Sequence, residues 1–321
     1  MLINRCSRKD HIIYSKESSL TIKKTIACLI ITLMVEHIFT QDTFSIIAVD
    51  PNSGQVGSAG ASCIQGSVII SDVHPGIGGI HTQSYWNEIN QDSASYLMEQ
   101  GYSPDEIIEW LINNDSQNDA SIRQYGIVDL VEGGRSASYT GNNCLNYKGH
   151  IIGENYAIQG NILLGPSILD EMEEAFLTQY GSFEEKLIAS LMAANISGAD
   201  TRCEPYGTPA ISAFIKVAKS NNTADSLFLD LNVNNAPLTI NPLDSLFAEY
   251  WDWKIDQFIL GDINFDRLVG INDVISLSDH VNGFHSINMH GFNPSDMNGN
   301  GDLEITDFYL LLFEIIGITG S

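Results

Sequence analysis

Positive charge is scarce in this chain. Its 321 residues carry 15 Lys and Arg against 40 Asp and Glu, a formal net charge of −25. A surface that acidic repels phosphate backbones and anionic lipid headgroups, which excludes nucleic-acid binding as a function class. Charged residues of either sign reach only 17% and prolines number 9, while hydrophobic residues make up 44%. That balance excludes disorder and a fibre and leaves a globular protein with an apolar core, most simply in two domains. Long apolar runs are missing as well, and none attains the ~18–20 residues that a membrane span needs. Several catalytic signatures are absent: G-x-S-x-G, a phosphate loop, a dinucleotide fingerprint and the H-E-x-x-H zinc motif.

What is present begins with Lys23 and Lys24 ahead of an apolar stretch, Thr25 to Val35, followed by Glu36 and His37. That order predicts a secretory signal over residues 1–40, with a buried N-terminal helix as the alternative reading. Cleavage after Thr40 would remove six Lys/Arg and three Asp/Glu and leave a more acidic, secreted chain without a membrane span. Export would expose Cys63, Cys144 and Cys203 to oxidation. The loop-like settings of Cys144 and Cys203 favour a bond between them, with three reduced buried thiols as the alternative. No two of these cysteines lie close enough in sequence for a zinc motif.

Alternation and β-branched content predict strands at Thr43–Val49, Gln55–Ser62, Ser67–Ser71, Gln124–Leu130, Ser136–Thr140, His150–Ile152 and Tyr156–Gly160, and near Ile211–Ala218 and Ser226–Asn232. Helices are expected at Ser93–Gln100, after the Ser103/Glu106 capping box, over Ser167–Tyr180 and after the Ser182/Glu185 capping box. Strand and helix blocks joined by tight turns describe a layered α+β domain with antiparallel sheets. The aromatic group within Leu246–Trp253 reads as interdomain packing rather than a ligand cage.

Near the C-terminus Asp262, Asn264, Asp266 and Asp273 occupy positions 1, 3, 5 and 12 of a loop, and Asp296, Asn298, Asn300 and Asp307 repeat that spacing. Hard divalent cations need six or seven oxygens, which such an alternation turns toward one centre; the position-7 carbonyls of Leu268 and Asp302 and the Glu304 side chain complete the set. Two calcium ions are the expected cofactors, the first held more weakly because Arg267 stands where the second loop has Gly301. The paired loops with following helices resemble a type I dockerin over about 259–317, which implies a cohesin-like or cell-surface partner. Ile271-Asn272 and Ile305-Thr306 depart from the Ser/Thr pairs common at those positions.

The segments Thr43-Phe-Ser-Ile-Ile-Ala-Val-Asp-Pro, Gly57-Ser-Ala-Gly-Ala-Ser, Arg123-Gln-Tyr-Gly-Ile-Val-Asp, Tyr139-Thr-Gly and Tyr156-Ala-Ile-Gln-Gly-Asn-Ile-Leu occur in that order. Together they resemble the family called domain of unknown function 1028, over about 43–254. The resemblance implies a four-layer αββα sandwich of the N-terminal-nucleophile (Ntn) hydrolase type. Such a scaffold takes a nucleophile at the new N-terminus of its first strand, deprotonated by its own α-amine, and Thr43 stands there. Cleavage after Thr40 would leave Gln41 and Asp42 ahead of it, so either further trimming occurs or Thr43 is structural. Gln83, Arg123, Gln159, Asn161, Asp200 and Arg202 are the other candidates to line a cleft, as donors to an oxyanion or as substrate ligands. The competing role for the arginines is an ion pair with Asp200 that ties loops together. His81 and His150 read as hydrogen-bonded imidazoles rather than ligands. The functional expectation is a secreted amide-bond hydrolase with a calcium-binding docking module; the alternative is a non-catalytic extracellular accessory protein, possibly of a polysaccharide-degrading complex.

Overall fold

The structure, a computed structural model, describes residues 43–256, 261–263, 268–283, 295, 297 and 305–316. The signal expected over residues 1–40 lies outside the described residues.

The chain opens with β1 (Thr43–Asp50) and β2 (Gln55–Ser62), an antiparallel hairpin with Thr43 opposite Ser62. Its turn closes because the Asp50 carboxylate accepts the Asn52 amide at 3.1 Å and the Ser53 hydroxyl at 2.5 Å, with Gly54 supplying φ +67°. Then follow β3 (Ser71–His74), β4 (Gly78–Gln83), α1 (Glu88–Glu99), α2 (Pro104–Asn113), β5 (Gln124–Asp129), β6 (Arg135–Thr140), β7 (Gly149–Ile152) and β8 (Tyr156–Gly160). The remaining elements are α3 (Ser167–Thr178), α4 (Phe183–Ala193), β9 (Ser212–Ala218), β10 (Leu229–Val233), α5 (Pro242–Asp256), α6 (Ile271–Val281) and α7 (Ile305–Ile315). The capping boxes at Ser103/Glu106 and Ser182/Glu185 start α2 and α4 as the sequence predicts.

Two antiparallel sheets result, one ordered β10-β9-β2-β1-β8-β7 and the other β3-β4-β5-β6. Strand periodicity sorts their side chains. Phe44, Ile46 and Ala48 of β1, with Ala59, Ala61 and Ile158, pack under α3, α4 and α5 through Ile168, Leu187, Leu191 and Leu246. Ile80, Tyr125 and Ile127 face α1 and α2 through Leu97, Ile107 and Leu111. The other faces meet each other through Ile47, Val49, Val56, Val73 and Val128. The layers therefore run helices, sheet, sheet, helices.

Three local expectations change. Ser67–Ile70 is a 3-10 turn, and the strand begins only at Ser71. The strand β4 was not foreseen, because its Gly78-Gly79 start and its His81, Thr82 and Gln83 show no apolar alternation. The aromatic group of α5 packs onto the sandwich's own core, where Phe247, Tyr250, Trp251 and Trp253 join the cluster beneath α3 and α4.

The two C-terminal helices pack through Val274, Leu277 and Leu311 with Ile263. Asp273 accepts the amides of Ile263 at 2.7 Å and Gly270 at 2.8 Å, closing the segment that leads into α6. Asp262, Asp273 and Asp307 are buried, whereas the Leu268 side chain is 71% exposed. Asn264, Asp266, Asp296, Asn298, Asn300, Asp302 and Glu304 lie outside the described residues. No helix among the described residues is long and apolar enough to cross a membrane.

Candidate functional site at the start of the first strand

The space between the sheets changes character along β1. Ile47 and Val49 belong to an apolar half, but the inward positions at the other end are Thr43 and Ser45, and their neighbours are Ser58, Ser62, Ser71, His81, Gln83, Gln124, Gln159 and Asn161. Except for Ser71, at 8%, all of these are at most 1% exposed. Buried polar groups are costly unless hydrogen-bonded, and here Ser45, Ser58, Ser71, His81, Gln83, Gln124, Gln159 and Asn161 form one continuous network.

Backbone carbonyls, which can only accept, fix the orientation of each amide in that network. The Gln83 atom 3.1 Å from the Thr43 carbonyl is Nε2, so Gln83 Oε1 accepts the Ser45 hydroxyl at 2.7 Å. Gln124 Nε2 donates to the Gly149 and Gly160 carbonyls at 2.9 Å each. Its Oε1 therefore accepts from Gln83 Nε2 at 2.7 Å and from Asn161 Nδ2 at 2.9 Å. Gln159 Nε2 faces the Ser45 carbonyl at 3.5 Å and donates to the Ser45 hydroxyl at 2.7 Å. It also lies 2.9 Å from His81 Nδ1, which is in turn 3.0 Å from the Ser45 hydroxyl. Nε2 on the other side of the ring lies 2.6 Å from Ser58 Oγ, and Ser58 passes the chain to Ser71 at 2.7 Å. Burial pushes His81 down to about 3, with the Lys216 charge adding, so the imidazole is neutral.

Thr43 is fully buried and central: its strand is flanked by β2 and β8, and its carbonyl accepts from both Gln83 Nε2 and the Asn161 amide, the latter at 3.2 Å. Beside it Ser62 takes a contact from Arg202 Nη2 at 3.4 Å. Arg202 is held by Asp200 through Nε to Oδ1 at 3.0 Å and Nη2 to Oδ2 at 2.5 Å, and Asp200 accepts the Cys63 amide at 2.9 Å. A disulfide joins Cys63 at the end of β2 to Cys203 in the same 3-10 turn, Thr201–Tyr206. This corrects the expected Cys144–Cys203 bond. Cys144 is a buried thiol that donates to the Arg123 carbonyl at 3.2 Å. Sequence spacing carries no record of the fold that brings residues 140 apart in sequence to a Cα separation of 5.6 Å.

Thus Thr43, Gln83, Asn161, Asp200 and Arg202 gather around one strand end. Arg123 does not join them through its side chain. Its guanidinium pairs with Asp115 at 2.8 Å and also donates to Gln117 and the Tyr85 carbonyl, a buried clamp on the segment before β5. Burial opposes ionisation of Asp115, but hydrogen bonds from Arg123, Asp119, Asn90 and Gln117 outweigh it and hold the carboxyl down at about 2. The competing reading, an ion pair with Asp200, describes the contact of Arg202, whereas Arg123 pairs with Asp115 instead. His150 bonds Thr140 at 2.8 Å on the surface. Sequence reasoning missed Ser45, Ser58, Ser71 and Gln124 and the network through His81. The available signal was the pairs Thr43/Ser45 and His81/Gln83, polar residues two apart and so on one face of their strands.

Backbone strain marks the same region. Ser84 and Tyr85, directly after β4, have φ of 53° and 56°, and Ile162, directly after Asn161, has φ 55°. Positive φ is an outlier for a β-branched residue and persists only where surrounding structure enforces it. Among the described residues no group of three or more His, Cys, Asp or Glu forms a metal-binding cluster.

Fold and site thus define a two-sheet α+β sandwich whose interior is polar where its central strand begins. The chain belongs to the DUF1028 family, a family of unknown function, whose model matches residues 43–243. Protein SPO2555 from Silicibacter pomeroyi, a crystal structure assigned to DUF1028, is similar to this chain with a TM-score of 0.55 and 25% identity, over 66% of this chain and 88% of that one. No curated protein matches.

Proposed function

We propose that this chain is a secreted amide-bond hydrolase of the Ntn type, with Thr43 as its nucleophile. The observation that supports this most is the convergence of buried polar side chains from both sheets on the first residue of the central strand. With the chain starting at Thr43, the free α-amine has an ordinary pKa near 7.7–8 and accepts the Oγ1 proton. Oγ1 then attacks the substrate carbonyl, the leaving amine departs with that proton, and water hydrolyses the threonyl ester. Gln83 fixes the strand end by its bond to the Thr43 carbonyl, and the Asp200-oriented Arg202 guanidinium beside Ser62 is the cation available to a developing oxyanion.

The C-terminal segment is, in this reading, a calcium-binding dockerin-like module that docks the enzyme to a cohesin-like or cell-surface partner. The repeat supports it: α6 and α7 each begin two residues before the last aspartate of their loops, Asp273 and Asp307, and both aspartates are buried. Asp262, Asn264, Asp266, the Leu268 carbonyl and Asp273 would hold one ion, and Asp296, Asn298, Asn300, Asp302, Glu304 and Asp307 the other.

A non-catalytic accessory protein is the second reading, favoured by the two residues that signal cleavage after Thr40 would leave before Thr43. The mass and N-terminal sequence of the exported protein separate the two. A chain beginning at Thr43 supports the hydrolase, and one beginning at Gln41 or earlier leaves Thr43 without its base and selects the accessory role.

A further inference from the structure

The amide network leaves two buried oxygens without a donor, Gln159 Oε1 within β8 and Asn161 Oδ1 just beyond its end, and the second lies next to Thr43. Each amide orientation is fixed by backbone carbonyls, and each hands its neighbour a defined atom: Gln124 presents Oε1, so Asn161 must turn Nδ2 toward it. That leaves Asn161 Oδ1 facing away from Gln124, fully buried and without a donor. Such a group costs free energy in the fold, and native structures keep one where something else satisfies it. Two further observations place it at the ligand end of the site. The Asn161 backbone N–H donates to the Thr43 carbonyl at 3.2 Å, and the next residue, Ile162, holds a strained φ of 55°.

We propose that Asn161 serves the Thr43 site as a hydrogen-bond acceptor through Oδ1, and that the ligand group seated there is an amide N–H. This rests on the hydrolase reading and narrows it. The substrate carries a secondary amide whose N–H is recognised beside the bond that is cut, and esters or N-alkylated amides of the same shape are discriminated against. Gln124 is a positioning residue in this scheme, because its Oε1 decides which way the Asn161 amide points.

The test uses the chain that begins at Thr43 and a pair of acetyl-trialanyl epoxyketones, one with every amide N–H and one N-methylated at the amide nearest the ketone. An N-terminal threonine adds Oγ1 to the ketone and opens the epoxide with its amine, so the adduct mass is the sum of both partners with nothing lost. The expected result is adduct formation about 10- to 100-fold faster with the N–H probe, the range spanned by leaving one buried polar atom unpaired. Asn161→Leu should abolish that ratio. Gln124→Met should shrink it, whereas a purely structural defect would slow both probes alike and leave the ratio intact. Equal rates for both probes in the unaltered protein overturn the acceptor role alone. A protein that begins at Thr43 and forms no adduct with either probe overturns the hydrolase reading, and the acceptor role with it.

Discussion

Acid should loosen this fold through a single imidazole. An unfolded histidine titrates near 6.5. In the sandwich, burial among uncharged partners pushes His81 down to about 3. Between those values the unfolded chain binds a proton that the folded chain refuses, so the contribution of His81 is complete above pH 6.5 and falls as pH drops toward 3. At 1.36 kcal/mol per pH unit, moving from 6.5 to 4 removes about 3 kcal/mol, a large share of a stability of about 5–15 kcal/mol. Asp115 does not blur this window, since its depressed carboxyl loses stabilisation only between 3.8 and about 2. The assay is urea unfolding at pH 7, 6, 5 and 4 for the unaltered protein and His81→Gln. The variant loses the hydrogen bonds of the imidazole at every pH, but its stability should fall by about 3 kcal/mol less across the range. Titrations of His74 and Asp72, common to both proteins, cancel in that comparison. Identical pH dependence in the two proteins, or an imidazole ¹⁵N titration for His81 near 6.5, would refute the reasoning, because either means the ring is neither sealed nor neutral by burial.

Three other outcomes are expected. Asp115→Ala should cost about 3–5 kcal/mol in chemical denaturation by stranding a buried guanidinium, while the double change Asp115→Leu with Arg123→Met should cost less. Alkylation of the denatured chain without residues 1–40 should label one thiol, Cys144, and breaking the Cys63–Cys203 bond by double alanine substitution should lower stability by up to about 5 kcal/mol, the loop-closure limit for a ring of this length. Calorimetry should show a transition of the C-terminal helices that shifts upward with calcium and downward with EDTA, with the sandwich transition unmoved; a scan indifferent to both would exclude the metal.

What the sequence makes legible follows from local chemistry. The β1–β2 hairpin is readable because Asp50 to Gly54 spell out their turn, and α2 and α4 because their capping boxes are contained within four residues. The strand β4 is illegible for the opposite reason. His81 and Gln83 face a polar interior shared with Ser45, Ser58, Ser71, Gln124 and Gln159 of five other strands, so the expected apolar alternation is replaced by one that only the neighbouring strands explain. The site divides the same way. Thr43 stands out by its place at the head of a strand, whereas Gln124 gains its role only once Gly149 and Gly160 are brought against it. Arg123 lies next in sequence to Gln124 but sends its guanidinium elsewhere, since adjacent residues of a strand face opposite ways.

The Cys63–Cys203 bond also decides how the sandwich would carry tension. A pull applied at residues 43 and 256 passes along β1 and β2, crosses the two sulfurs and leaves through β9, β10 and α5. The 140 residues of sequence between the cysteines, which hold the whole four-stranded sheet and helices α1 to α4, sit off the load path. About 490 Å of contour, at ~3.5 Å per residue, stays locked until the bond is reduced. Force applied at those two ends would thus be borne by a single half of one sheet, and the polar interior would be opened from the Thr43 end before the disulfide-closed part of the fold was stretched.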